Sequence, residues 1–237
     1  MKLNRMAIFA TLSVAALWAT GASAALLINE VDSDTVNSPG TDPLEFIEIY
    51  DTSGTSVSLD GYVLVLYNGN GNVPYRVNDL DGLSTSATGY FVAGAVPGAQ
   101  LAIPANTIQN GVDAVTLYLG NGADFVIGAG GTAPTTTNLV DAVVYKTGPD
   151  ADGIGLATAL GITGPVSEVD EFGRDGLATT GAIDSIGRFP NGSGAARNTT
   201  TWTFMVPSPG ASNGVPEPST ILLAALSGVA IMALRRR

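Results

Sequence analysis

The chain has 237 residues, 45% of them hydrophobic and 13% charged, with 30 glycines and a net charge of −11. It contains no cysteine, which excludes disulfides and thiolate zinc sites, and no histidine, which removes the usual general base near neutral pH and the commonest metal ligand. Low charge and low lysine content argue against a soluble helical bundle, the glycines and many Thr, Ser, Asn and Asp point to numerous turns, and the length suits one all-β domain with end segments or at most two small domains.

The first element is a leader. Lys2 and Arg5 form a charged start, Met6 to Trp18 an apolar run, and Ala22-Ser23-Ala24 a small-residue triplet. This reads as a secretory signal peptide over residues 1–24, cleaved between Ala24 and Ala25, and its apolar run is expected to be helical.

From Ala25 onward the chain reads as short strands parted by turn chemistry. LLINEV, LEFIEIY, YVLVLY, YFVAG, DAVTLYL, LVDAVVY and TWTFMV are rich in β-branched and aromatic residues. Between them lie NSPG, TSGT, NGNGN, NGAD and NGSG. The one stretch with any helical promise is Gly155 to Leu160. Six or more such strands predict two packed antiparallel sheets. Residues 25–214 keep five basic residues (Arg76, Lys146, Arg174, Arg188, Arg197) against twenty acids, a net −15. That surface repels phosphate backbones, so nucleic-acid partners are not expected; cations or cationic partners suit it better.

Acids cluster near the domain's start. Glu30, Asp32 and Asp34 alternate along the first strand, which places them on one face, and Asp42, Glu45 and Glu48 follow across one turn. If the first two strands pair, Glu30 and Glu48 converge. Ca²⁺ takes about six to eight oxygen ligands, so Glu30, Asp32, Glu45 and Glu48 are the candidate calcium ligands. The competing reading is a solvated acidic edge that discourages strand-to-strand aggregation. Asp150-Ala151-Asp152-Gly153 opens like a calcium loop, with Glu168, Asp170, Glu171 and Asp175 in the same Gly-rich segment, but no twelve-residue loop closes with Glu. Segment 148–184 is longer than a plain sandwich needs and reads as a long loop or small flap. Tyr145 and Trp202 read as core aromatics.

The inventory leaves little for catalysis. Lys146 is the one lysine of the domain, and no Ser-x-x-Lys accompanies it. Paired carboxylates remain, without a spacing that fixes their chemistry. The expected protein is non-catalytic. The alternative is a metal-dependent extracellular hydrolase of phosphodiesters or glycans acting through Glu30, Asp32, Glu45 and Glu48.

The last element is a tail over residues 214–237. Val215-Pro216-Glu217-Pro218-Ser219-Thr220 leads into an apolar run from Thr220 to Leu234 and ends on Arg235, Arg236 and Arg237. As a helix the run spans about 22 Å, short against a hydrocarbon core of about 30 Å, with the arginines snorkelling to the cytoplasmic interface. It is therefore expected to be a short transmembrane helix, the domain outside and the C-terminus inside.

Two resemblances follow from these residues. The order Pro-Glu-Pro, apolar run, arginine cluster resembles the PEP-CTERM sorting signal of Gram-negative bacteria that make extracellular polysaccharide. That implies export to the envelope or beyond and an exosortase-type processing protease as partner. Nine short islands in the domain resemble, in order, a lamin-tail domain. Among them are Leu27 to Asp32, Glu45 to Tyr50, Asp113 to Tyr118 and Leu139 to Tyr145. Ser185-Ile186-Gly187-Arg188, Trp202-Thr203 and Pro207 to Asn213 follow. The resemblance implies an immunoglobulin-like antiparallel β-sandwich over residues 25–213, with no single activity attached. An exported protein of the envelope or extracellular matrix is then expected. Its role would be adhesion or scaffolding on envelope proteins or extracellular polysaccharide.

Overall fold

The computed structural model describes residues 25–33, 43–147, 153–170 and 185–214. The expected leader over residues 1–24, residues 215–237 of the tail, Asp34, Asp42, Asp150, Asp152, Glu171 and Asp175 lie outside the described residues. Among the described residues, no helix is long and apolar enough to cross a membrane.

Eleven strands and one short α-helix follow in chain order among the described residues, beside a single 3-10 turn at Gly122–Asp124. They are β1 (Leu26–Asp32), β2 (Phe46–Asp51), β3 (Tyr62–Asn68), β4 (Val73–Asp79), β5 (Tyr90–Gly94), β6 (Leu101–Ala102), β7 (Val112–Leu119), β8 (Leu139–Lys146), α1 (Ile154–Leu160), β9 (Val169–Asp170), β10 (Ser185–Arg188) and β11 (Trp202–Met205). One sheet has the order β11-β10-β1-β2-β5-β6, the other β4-β3-β7-β8-β9. Packed face to face, they form the expected immunoglobulin-like sandwich. The sheets are mixed rather than purely antiparallel, because β5–β6 and β8–β9 pair in parallel. Both are two-residue edge additions that return through a loop or helix rather than a hairpin, a connection that no local turn signal announces.

Alternation builds the core. Ile28 and Val31 of β1, Ile47 and Ile49 of β2, Phe91 and Ala93 of β5 and Ile186 of β10 face Leu64, Leu66, Val115, Leu117 and Val143 of the opposite sheet. In β3 the alternate residues Val63, Val65 and Tyr67 are buried as well, against Leu156, Ala157 and Leu160 of α1. That second cover explains why YVLVLY is an unbroken apolar run. The helix ends at Gly161, whose left-handed φ of 65° makes a glycine the natural cap. Strand β4, VPYRVND, carries a proline and several polar residues and was not read as a strand from the sequence. It sits at a sheet edge, and its register shifts between Arg76 and Pro74, the kind of edge and bulge position at which a strand tolerates proline.

Candidate functional site

Residues that alternate away from the core meet on the outer face of the six-stranded sheet. Strand β1 shifts register between Ile28 and Glu30, so Asn29 and Glu30 both turn outward while Ile28 and Val31 stay inside. Glu30 stands directly across from Glu48 of β2, the convergence expected from the sequence. Both are fully buried, because residues 207–213 cross over them as a strap. Ser208 donates its N–H to Glu30 Oε1 at 3.0 Å and its Oγ–H to Oε2 at 2.9 Å. Ser185 Oγ also donates to Glu30 Oε1. Gly210 donates its N–H to Glu48 Oε2 at 2.7 Å, and Asn29 Nδ2 reaches Glu48 Oε1 at 2.8 Å.

The strap closes on Asn213. Its Nδ2 donates to the Arg188 carbonyl at 2.9 Å and the Asn29 carbonyl at 3.3 Å, and its N–H to Asn191 Oδ1 at 2.6 Å. Gly187 permits this approach: a Cβ there would lie 2.8 Å from Asn213 Nδ2 and 2.9 Å from the Asn29 carbonyl. Burial pushes the Glu48 carboxyl up to about 8, with the neighbouring Glu30 charge adding to the rise. Burial likewise raises Glu30, against the pull of its serine donors.

A second buried polar group joins the sheets from within. Asp141 of β8 and Arg188 of β10, both fully buried, form an ion pair at 3.0 Å. Asp141 also accepts the N–H groups of Ile28, Ala142 and Arg197. Arg188 donates to the carbonyls of Ile28, Ser193 and Ala195 and lies 5.3 Å from the centroid of the Trp202 ring. Burial pushes Asp141 upward, while Arg188 and the three N–H donors pull it back. Because Arg188 keeps its charge, the pair is neutral only with Asp141 ionised.

Of the four carboxylates expected to gather, the structure brings two together. Glu45 lies just before β2 and accepts the N–H groups of Thr107 and Ile108 at 2.6 and 3.0 Å, fastening a different loop. Asp32 is buried at the end of β1, opposite Phe46. Glu168 accepts the N–H of Gly153 at the start of α1. Among the described residues, no group of three or more Asp or Glu gathers at metal-holding distance. Tyr145 is fully buried with its hydroxyl on the Gln109 carbonyl, and Trp202 packs against the core, as expected of core aromatics.

The roles of Asn29, Asp141, Ser185, Arg188, Ser208 and Asn213 escaped the sequence reading. All six stand inside the short sequence islands, but only the fold brings the islands into contact.

Beside the strap lies a cleft of about 200 Å³ lined by Ser86, Thr88, Tyr90, Val92, Gln100 and Pro209, among others, none of them charged. Tyr90 packs on Tyr50 with ring centroids 4.8 Å apart and meets the Asn191 side chain. Gln100 spends its amide on the backbone of Tyr90 and Val92, covering the stretch of the β5 edge that precedes its pairing with β6.

Comparison with known families gives two matches. Residues 19–173 match the Lamin Tail Domain, and residues 214–237 match the PEP-CTERM protein-sorting motif. Strands β10 and β11 and the strap fall beyond the first match, yet they complete its sheet. Searches of curated proteins and of solved structures found no match.

Proposed function

The chain belongs to the lamin tail domain family and closes on a PEP-CTERM sorting motif, and from that premise we propose that it is a non-catalytic adhesion or scaffolding protein of the cell envelope or extracellular matrix. This is an exported β-sandwich protein carrying a tail of the kind that exosortase processes, typically in Gram-negative bacteria. Neither family is enzymatic.

The observation that carries the non-catalytic reading is the use made of the carboxylates. Glu30, Glu48, Glu45 and Asp141 each accept hydrogen bonds from the protein's own N–H or O–H groups. They fasten a strap, a loop and two sheets, which is structural work. The alternative of a metal-dependent hydrolase draws no support from this arrangement, because Glu45 is committed to a loop apart from the Glu30–Glu48 pair. In this reading the domain presents its outer surface to envelope proteins or extracellular polysaccharide, and the tail delivers it there.

The test is the intact mass of the protein recovered separately from host membranes and medium. An N-terminus at Ala25 and a C-terminus near Pro218 in the medium is the expected result. Retention of Arg235 to Arg237 in all copies would make the tail a permanent anchor. Recovery from the cytosol alone would end the proposal.

A further inference from the structure

The strap decides where the sorting tail leaves the sandwich. Asn213 is buried and held by its main-chain N–H and both side-chain ends. Val215 follows two residues later and Pro216 three. At about 3.3–3.6 Å per residue, Pro216 stays within about 11 Å of Asn213. Thr220, where the apolar run begins, stays within about 25 Å. The chain therefore has almost no slack between a fixed point in the fold and the motif that is processed. Detaching the strap to gain slack would strip Glu30 of both Ser208 donors and Glu48 of the Gly210 donor, leaving buried acceptors short.

Any protein that closes around Pro216 to Pro218 must then lie against the surface next to Asn213. That surface has a distinct character. Asn191 binds the Asn213 N–H with one end of its amide and Tyr90 with the other, so the uncharged cleft opens within two hydrogen bonds of the exit. Phe189 and Pro190, immediately before Asn191, are exposed. None of Ser86, Thr88, Tyr90, Pro97, Gln100, Phe189, Pro190 and Pro209 carries a charge, in a domain whose net charge is −15. A neutral, partly apolar face is the part of such a domain that approaches an anionic lipid surface, or a protein seated in it, with least repulsion.

We propose that this exit face, centred on the Tyr90 cleft and the Asn191–Asn213 anchor, is the docking surface for the membrane-held protease that processes the tail. The strap makes the contact obligatory by denying the motif any free reach. The proposal rests on the reading that the tail is processed, and the experiment separates the two.

Three full-length versions are expressed in the native host: wild type, Thr88→Trp combined with Pro97→Glu, and that double variant with a flexible Gly-Ser linker of about ten residues inserted after Gly214. Both substituted residues are exposed, and thermal melts of the purified proteins check that the sandwich is intact. The readout is the rate at which pulse-labelled chains lose the tail. The double variant is expected to be processed at least tenfold more slowly than wild type, and the linker to restore the rate to within about threefold. A double variant that keeps its melt and is processed less than twofold more slowly overturns the docking face. A slow double variant that the linker fails to rescue overturns the role of the short reach. Wild-type chains that never lose the tail would instead sink the processing reading itself.

Discussion

Replacing Arg188 by methionine tests the claim that an ion pair between the sheets holds this sandwich shut. The guanidinium is fully buried and serves Asp141 and three backbone carbonyls. Methionine fills much of the volume but leaves the buried Asp141 carboxylate with its three N–H donors and no counter-charge. Breaking a buried pair by removing one partner costs about 3–5 kcal/mol. The Ser193 and Ala195 carbonyls lose a donor too, at about 1–3 kcal/mol each where water does not replace it. A loss of about 5 kcal/mol at pH 8 is expected, a large share of the roughly 5–15 kcal/mol that stabilises a domain. Urea titration followed by Trp202 fluorescence reads it directly, since that ring lies under the guanidinium and the other tryptophan, Trp18, falls in the segment expected to be removed as a leader.

The sign of the pH dependence sharpens the test. Without Arg188, burial holds the folded Asp141 carboxyl above its unfolded value, so the variant binds an extra proton when folded and loses stability as pH rises. The penalty relative to wild type should therefore be smaller at pH 5 than at pH 8. Adding Asp141→Asn should recover about 1–2 kcal/mol at pH 8, because a neutral amide is cheaper to bury than a lone charge. A penalty below about 1 kcal/mol at pH 8, or one equal at both pH values, would refute the reasoning.

Two further outcomes follow from the outer face. The Glu48 carboxyl titrates at about 8 in the fold against an ordinary 4.5, so its contribution is full below about pH 4.5 and is lost as pH rises through 8; between pH 5 and 9 it should lower stability by about 4 kcal/mol. Glu48→Gln should flatten that slope in urea titrations, and a variant with the wild-type slope would show that another group carries it. Gly187→Ala places a methyl against Asn213 and the Asn29 carbonyl, so a cost of about 1–3 kcal/mol is expected by calorimetry; a change under about 0.5 kcal/mol would mean that the strap yields freely.

Length, composition and local pattern settled the class of this protein. Short runs rich in Val, Ile, Leu and Tyr such as LLINEV, YVLVLY and LVDAVVY, bounded by turn residues, read as strands, because β-branched and aromatic side chains suit a pleated, buried surface. The two end segments read as addresses because charge, apolar length and small residues follow one another within a few positions. The Glu30–Glu48 convergence was legible for the same reason: two adjacent strands joined by one connection bring neighbours across.

What needed the tertiary structure was every relation between residues far apart in the chain. Asp141 and Arg188 are 47 positions apart, and Glu30 and Ser208 are 178. No local period records such pairs; they exist because the sandwich stacks its sheets and lays the strap over one of them. The use of the carboxylates turned on this. An acid within a strand reads alike whether it awaits a metal ion or the chain's own N–H groups, and only folding shows which donors arrive. The parallel edge pairs β5–β6 and β8–β9 stayed hidden on the same ground, since two residues carry too short a pattern and their partners are chosen by where the loops return.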